Sequence, residues 1–423
     1  MPKCSATPLL VYILAAISFL VVAVAAVTVI PFLLFGDFEF GNFNVNATAA
    51  FWSLFVFRYF RLAVNIFSYL ILYKPSLIPA NPSHTSRDVS VLIPTIENNE
   101  AFINCARSIC ANDPAYLFII TVGNEMRASI ENSMQQLRIA FPTVNIQVHN
   151  TDVANKRRQI DTVIPLIQTR LTSMVDANVI WGPRFLRSAL APLEDRNICL
   201  VGTNKRVRRV RHAGWFASFW NFIGCLYLER HNFECRAQNA ISGEVFVISG
   251  RTNVIRTAII QDPKFRTGYL NERFFLGRFG PLAADDDNFI VRWILKQGGG
   301  INPAALKIPH VWISQPYSVY SIYLTSFFNF ALLIDPVLVY LLGHTEYVHE
   351  SNWTSMWLLV IWILCTKMVK LITYFYRERR DLLFFPFYIL FAYYHSWIKL
   401  RALLTFWDVA WTGRNIVVDK PLG

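Results

Sequence analysis

The chain gathers its apolar residues into long runs at its two ends and into short runs between them. Leu9–Phe35 carries no charge and is long enough to cross a hydrocarbon layer of about 30 Å, so it predicts a membrane anchor. Residues 51–73 predict a second span. Arg58 and Arg61 interrupt it, and charges at that depth must face protein, water or headgroups. Residues 319–342 and 353–376 predict two further spans near the C-terminus. Residues 382–407 are aromatic-rich but hold His395, Lys399 and Arg401, which suits an interfacial or re-entrant piece.

Between these ends the periodicity changes. Residues 89–93 form a continuous apolar run, as in a parallel strand buried on both faces. Residues 98–110 have helical spacing, 117–122 read as a strand, 128–140 as a helix and 145–149 as a strand. Residues 160–172 read as a helix, and 172–175 lead as a strand into Asp176. Alternation of this kind predicts an α/β fold with a mostly parallel, Rossmann-like sheet and helices on both faces. Such sheets bind ligands at the carboxyl ends of their strands, where Thr95, Glu97, Asn124 and Asp176 fall. The expected layout is two membrane helices with a short external loop over 1–80, a cytosolic α/β domain over 81–317, and membrane and interfacial helices over 318–423.

Loop charge sets the expected orientation. The loop 36–50 holds Asp37 and Glu39 but no Lys or Arg, and Lys74 follows the second span. Glu346 and Glu350 lie in the later loop, and Arg377, Arg379 and Arg380 follow the next span. Cations mark the inner side, so the short loops belong outside and the middle block in the cytosol. The acceptor triplets Asn46-Ala-Thr48 and Asn352-Trp-Thr354 then fall on the outer side.

Composition agrees with this partition. Of 423 residues 54% are hydrophobic and only 16% charged, against about a quarter charged in soluble chains. The net charge of +12 fits a cytosolic face on an anionic lipid bilayer with a site for a phosphorylated substrate. No helix-turn-helix, zinc-finger or RNA-binding signature is present, so nucleic acid is not expected as a partner. Seven cysteines without a C-x-x-C pair predict reduced thiols rather than a disulfide framework or a zinc site.

Four motifs follow one another in the middle block: Asp88-Val-Ser-Val-Leu-Ile-Pro-Thr95, Val175-Asp-Ala-Asn178, Ser242-Gly-Glu-Val-Phe-Val-Ile-Ser-Gly-Arg251 and Ala284-Asp-Asp-Asp-Asn-Phe289. In this order they read as a nucleotide-sugar site. Asp285-Asp-Asp287 opens a helical pattern, where carboxylates also stabilise the helix dipole. Clustered acids raise one another's pKa, which suits a general base. Asn155-Lys-Arg-Arg158 offers Lys156 and Arg157 to phosphates. Lys205–Arg211 holds five cations in seven positions and reads equally as a solvated or lipid-facing surface. Trp215, Phe219, Trp220 and Phe222 suit packing more than sugar stacking.

With these motifs the chain resembles the family 2 glycosyltransferases, and within them the fungal membrane polysaccharide synthases related to hyaluronan and chitin synthases. The resemblance rests further on Gly202-Thr-Asn-Lys-Arg-Val-Arg-Arg209, Leu270-Asn-Glu-Arg-Phe-Phe275 and Phe279-Gly-Pro-Leu-Ala-Ala-Asp-Asp-Asp-Asn-Phe289. It implies an A-type glycosyltransferase fold between N-terminal and C-terminal transmembrane helices, a UDP-sugar donor, a divalent cation (Mn2+ or Mg2+) and a growing cell-wall or capsular polysaccharide as acceptor. It also implies a multi-pass protein of the plasma membrane with its catalytic domain in the cytosol. Asp176-Ala-Asn178 stands where the family holds its metal, with a neutral amide at the third position. Thr95 and Glu97 stand where the family holds the nucleoside, although a Thr and a Glu after a strand also serve as turn caps. Register assigns the base to Asp287, with Asp286 next.

The pattern breaks once. The family follows its acidic motif with Q-x-x-R-W on an interfacial helix, and no Q-x-x-R-W occurs in this sequence. The chain instead runs through Gly298-Gly-Gly300 to Trp312-Ile-Ser-Gln-Pro316. Two functions therefore stand open: an inverting, membrane-embedded transferase that extends and exports a polysaccharide, or a catalytically impaired member acting as a non-catalytic membrane partner.

Overall fold

The computed structural model describes residues 8–40, 43–211, 214–243, 248–274, 277–283, 285–296, 316–351 and 353–405. They fall in two compact units. One draws on Met1–Lys74, Asn204–Val245 and Ile308–Thr405, the other on Pro75–Thr203 and Phe246–Lys307.

The first unit is helical. Helix α1 (Pro8–Phe35) is followed by a short hairpin of β1 (Phe38–Phe40) and β2 (Phe43–Val45). Helix α2 (Ala47–Phe67) is capped by the Asn46 side chain, which accepts from the Ala49 N–H at 2.9 Å, and it runs on through a π turn, Ser68–Leu72. Among the described residues two helices, Leu9–Phe35 and Ala47–Leu72, are long and apolar enough to cross a membrane.

The two C-terminal spans expected at 319–342 and 353–376 do not form as single long helices. Over the first the chain passes from π-helix (Val319–Leu324) to Thr325–Phe328, breaks at Asn329 and Phe330, and resumes as Ala331–Gly343, which is 13 residues long. The second divides into Thr354–Val369, 16 residues, and Ile372–Arg377. Apolar composition alone had joined segments that the backbone separates. The ambiguous stretch forms one helix, Phe385–Leu404.

The charges inside these helices are paired. Arg58 reaches the buried Asp335 at 2.9 Å, and Lys367 reaches its other oxygen at 2.8 Å. Arg61 and Lys370 approach Glu234 at 3.6 and 2.5 Å. Glu234 lies on α7 (Gly214–Ser242), which belongs to this unit and follows β7 in the chain. Arg209 meets Asp381 at 2.7 Å, and Arg211 pairs with Glu378, so part of the basic run serves structure. Phe222 is fully buried while Trp215 and Trp220 stay exposed.

The second unit is a six-stranded sheet in the order β5-β4-β3-β6-β8-β7. It comprises β3 (Val89–Pro94), β4 (Tyr116–Val122), β5 (Asn145–Thr151), β6 (Leu171–Val175), β7 (Leu200–Gly202) and β8 (Thr252–Arg256). Strands β3 to β6 are parallel, and β8 runs antiparallel to both neighbours. Successive side chains of a strand face opposite sides. Val89, Val91, Ile93, Leu117 and Ile119 therefore enter one core, while Leu92, Phe118, Ile120 and Met174 enter another. That two-sided burial is why these strands read as unbroken apolar runs.

Helices α3 (Glu100–Cys110), α4 (Asn124–Ala140) and α5 (Lys156–Val163) connect the parallel strands. Asn99 and Asn155 cap α3 and α5 with their side-chain oxygens, and Gly123 opens α4 at a φ of +75°. The helix expected over 160–172 begins earlier and ends earlier, because Pro165 interrupts it and only a 3-10 turn follows. Helices α6 (Phe185–Leu190), α8 (Thr257–Ile260), α9 (Pro263–Leu270) and α10 (Asp286–Lys296) complete the unit.

Among the described residues Asp335 is the carboxylate that pairs with both Arg58 and Lys367. Removing one member of a buried ion group leaves uncompensated charge. Asp335→Ala should therefore destabilise the protein by about 3 kcal/mol, read as a drop in thermal midpoint in detergent. The exposed Glu346→Ala should leave it unmoved. Equal midpoints for wild type and Asp335→Ala would refute the pairing.

Candidate active site

Strand order places the site. From β3 the chain winds through β4 and β5 on one side, then returns to β6 on the other. Such a switch opens a crevice at the carboxyl ends of the two central strands. Thr95 immediately follows β3 and Asp176 immediately follows β6. The antiparallel β8 begins at the same edge. Its register pairs Thr252 with Val175, and the Asp176 N–H donates to the Arg251 carbonyl at 3.1 Å. Residues 250 and 251 are thereby set beside Asp176.

Helix α5 contributes the central cation. The Asn155 oxygen accepts from the N–H groups of Arg157 (3.0 Å) and Arg158 (3.2 Å), which fixes the first turn. Gln159 ties the same helix to the sheet by donating to the carbonyls of Thr95 (3.1 Å) and Ile120 (2.8 Å). Lys156 then extends its Nζ to 3.1 Å from Asp176 Oδ1 and 3.1 Å from Asp286 Oδ2. Burial alone would depress the Lys156 pKa, but the facing Asp286 and Asp176 carboxylates outweigh it and raise it above the usual lysine range. Lys156 stays an ammonium.

The acids of α10 divide their tasks. Asp286 is buried and pairs with Lys156. Asp287 Oδ2 accepts the Gly250 N–H at 2.6 Å, and its Oδ1 accepts the Asn288 N–H at 2.9 Å. A Cβ at position 250 would stand 3.2 Å from both Asp287 Oδ2 and Lys156 Nζ, so the approach depends on glycine. Burial and then the neighbouring Asp286 charge raise the Asp287 pKa above the usual carboxylate range, against the lowering pull of Lys156 and the two N–H donors. Asp285 adopts a φ of +63°, rare for a non-glycine residue, and its carboxylate is held by Arg292 at 2.9 Å and by the Asn288 amide at 2.5 Å.

A family profile described as glycosyltransferase like family 2 matches residues 86–318. The chain is 31% identical over 417 residues to a type 2 glycosyltransferase of Gibberella zeae, spanning 88% of this chain and 78% of the relative. It is 32% identical over 404 residues to a type 2 glycosyltransferase of Pyricularia oryzae, spanning 86% and 82% of the two chains. The chain belongs to the family 2 glycosyltransferases. Among solved structures it is similar to a mannosyltransferase of Pyrobaculum calidifontis in complex with GDP-Man and Mn2+, at 13% identity and a TM-score of 0.47, covering 86% of this chain and 99% of the other.

Several residues singled out in the sequence stand together in this glycosyltransferase: Lys156, Asp176, Asp286 and Asp287. Arg157 stands apart from its expected task. Arg157 does not face a phosphate site. It is fully buried, donates to the Tyr269 carbonyl at 2.7 Å and Glu272 at 2.8 Å, and lies over the rings of Tyr269 and Phe289. The Thr95 hydroxyl donates to the Glu97 carbonyl at 2.8 Å and accepts the Glu97 N–H at 3.1 Å, a turn-capping arrangement. The Glu97 carboxylate is exposed and accepts from the Asn99 amide at 2.7 Å.

The expected cation site is incomplete. Asn178 is exposed, and Asp176 already holds an ammonium. Among the described residues no group of three or more His, Cys, Asp or Glu is placed to hold a metal ion. A hard divalent ion draws on several oxygen donors, preferably anionic ones. One lysine-bound carboxylate and one neutral amide do not fit it.

Sequence reading assigned no role to Glu272, although its segment carried the resemblance. Glu272 joins Arg157 at 2.8 Å to Arg292 at 2.7 Å, and so links α5 to α10 behind the acids.

The raised Asp287 pKa has a thermodynamic consequence. Across the interval between its unfolded and folded pKa the native state binds more protons than the unfolded state, so stability falls as pH rises through that interval. Asp287→Asn should therefore melt at a higher temperature than wild type at neutral pH, and the difference should vanish below the carboxylate range. A variant less stable than wild type at neutral pH would contradict this.

Proposed function

We propose that this family 2 glycosyltransferase transfers a sugar from a UDP-sugar donor to a growing polysaccharide at a membrane, with inversion at the anomeric carbon. One observation carries the assignment of the base: Asp287 has a raised pKa, a fixed orientation on the Gly250 N–H at 2.6 Å, and a cation beside it. An acceptor hydroxyl attacks the anomeric carbon and gives its proton to the Asp287 carboxylate, while the sugar–phosphate bond breaks and leaves a nucleoside diphosphate. Direct displacement without a covalent enzyme intermediate inverts the configuration. Thr95 and Glu97 take the nucleoside side of the crevice, Asp286 and Asp176 flank the diphosphate side, and the site faces the cytosol at the plasma membrane. The apolar helices α1 and α2 support the membrane setting.

A second reading, a catalytically impaired member, is favoured by Arg292. The sequence has no Q-x-x-R-W, and the Arg-Trp pair at Arg292-Trp293 has its guanidinium engaged by Glu272 and Asp285 at 2.7 and 2.9 Å. Residues 297–315, where the missing segment would join, lie outside the described residues.

Asp287→Asn should abolish UDP release from a UDP-sugar while sparing UDP binding, because an amide cannot take the proton. Wild-type turnover in that variant would end the base assignment. Wild-type UDP release should run about a hundredfold below that of a family member with Q-x-x-R-W, since one charge-stabilising donor to the leaving group is absent. Equal rates would remove the second reading.

A further inference from the structure

We propose that Lys156 takes the place of the divalent cation, so that this chain binds its nucleotide donor without metal. The inference rests on the nucleotide-sugar reading above. The family resemblance puts a metal at Asp176, which follows β6, and there the structure holds an ammonium, 3.1 Å from Asp176 and 3.1 Å from Asp286 at the start of α10. That ammonium is positioned at three levels. Asn155 caps the turn that carries it, Gln159 fastens the helix to β3 and β4, and Gly250 leaves the space its Nζ enters.

The charge balance favours the exchange. A metal entering here would have to displace the ammonium from Asp176, and would gain only the Asn178 amide as a further ligand in the motif. An ammonium has three donors. It can keep one carboxylate and turn another N–H onto a diphosphate oxygen. In transfer, the bond between the anomeric carbon and the diphosphate oxygen breaks, and its electron pair stays on that oxygen. Lys156 neutralises the charge arriving there, and the acceptor proton goes to Asp287. No proton leaves Lys156, and no other reactant is required. Asp176 is then a positioning residue that acts through Lys156.

The test is calorimetric titration of UDP into the full chain in nanodiscs, once with EDTA and once with excess Mn2+. Wild-type affinity should differ by less than about threefold between the two, because the bound cation is covalently part of the chain. Lys156→Met should lose about tenfold or more in EDTA, the loss expected for a charge-assisted hydrogen bond. Lys156→Arg, which keeps a cation, should recover most of that loss and guards against a folding defect in the methionine variant. Wild-type binding that appears only with Mn2+ overturns the inference while leaving the nucleotide-sugar reading intact. So does metal-free binding that Lys156→Met, folded by circular dichroism, leaves unchanged. Absence of UDP binding under both conditions defeats the UDP-sugar reading itself, and the inference with it.

Discussion

One ammonium, on Lys156, joins the carboxylates of Asp176 and Asp286, and the sheet unit is organised around placing it. Asp176, Asp286 and Asp287 come from β6 and from the start of α10, and Lys156 is the ammonium placed among them. Like charges at this spacing would otherwise force protonation or expel one another. One helix carries most of the solution. In α5, Asn155 caps, Lys156 neutralises, Arg157 enters the core and Gln159 bonds to two strand carbonyls. With its cap, this eight-residue helix is polar and yet buries four of its residues: Arg157, Gln159, Ile160 and Val163.

Behind the acids runs a second chain of charge. Arg157, Glu272, Arg292 and Asp285 alternate in sign, with separations of 2.8, 2.7 and 2.9 Å. Its effect is geometric. Asp285 holds an uncommon backbone conformation immediately before α10, and the Arg292 contact from about two turns later pins it. Gly280 matters for the same reason: a Cβ there would come within 2.7 Å of the Glu272 carbonyl, so only glycine lets that loop lie against the glutamate segment. The orientation of Asp287 therefore depends on residues that touch no reacting atom.

Most of the sheet was legible because burial on both faces writes itself as apolar runs in β3 and β4, while β5 shows the alternation of a strand buried on one face. The acids were legible as well, since three in a row before an amphipathic helix are conspicuous. Arg157 was misread because a cation beside a phosphate-facing lysine looks like a second phosphate ligand, whereas successive residues of a helix point about 100° apart. Lys156 faces the carboxylates, and Arg157 faces Tyr269 and Phe289. Strand β7, three residues long, carried too little pattern to be read, and β8 went unread as well, yet β8 decides which glycine meets Asp287. The C-terminal spans failed for a different reason: hydropathy averages over a window, and a backbone break such as Asn329–Phe330 leaves the average unchanged.

The helical unit obeys the same rule as the site, with the signs reversed. There a surplus of cations needs anions. Arg58 and Arg61 are three residues apart on α2, and Lys367 and Lys370 are three residues apart along their own segment, so each pair lies on one helical face. Asp335 joins Arg58 to Lys367, and Glu234 joins Arg61 to Lys370. Two ion groups with equal spacing on both helices define an axial register. Sliding one helix by a turn would take its cations away from Asp335 and Glu234 and leave each carboxylate with a single partner. Apolar packing between helices is tolerant of such slips, because one leucine replaces another at little cost. Paired charges in a low-dielectric interior are not tolerant, since each misplaced member loses its counter-ion together with its solvation. The charges that interrupt the apolar run of α2 are thus the ones that fix where it stands among its neighbours.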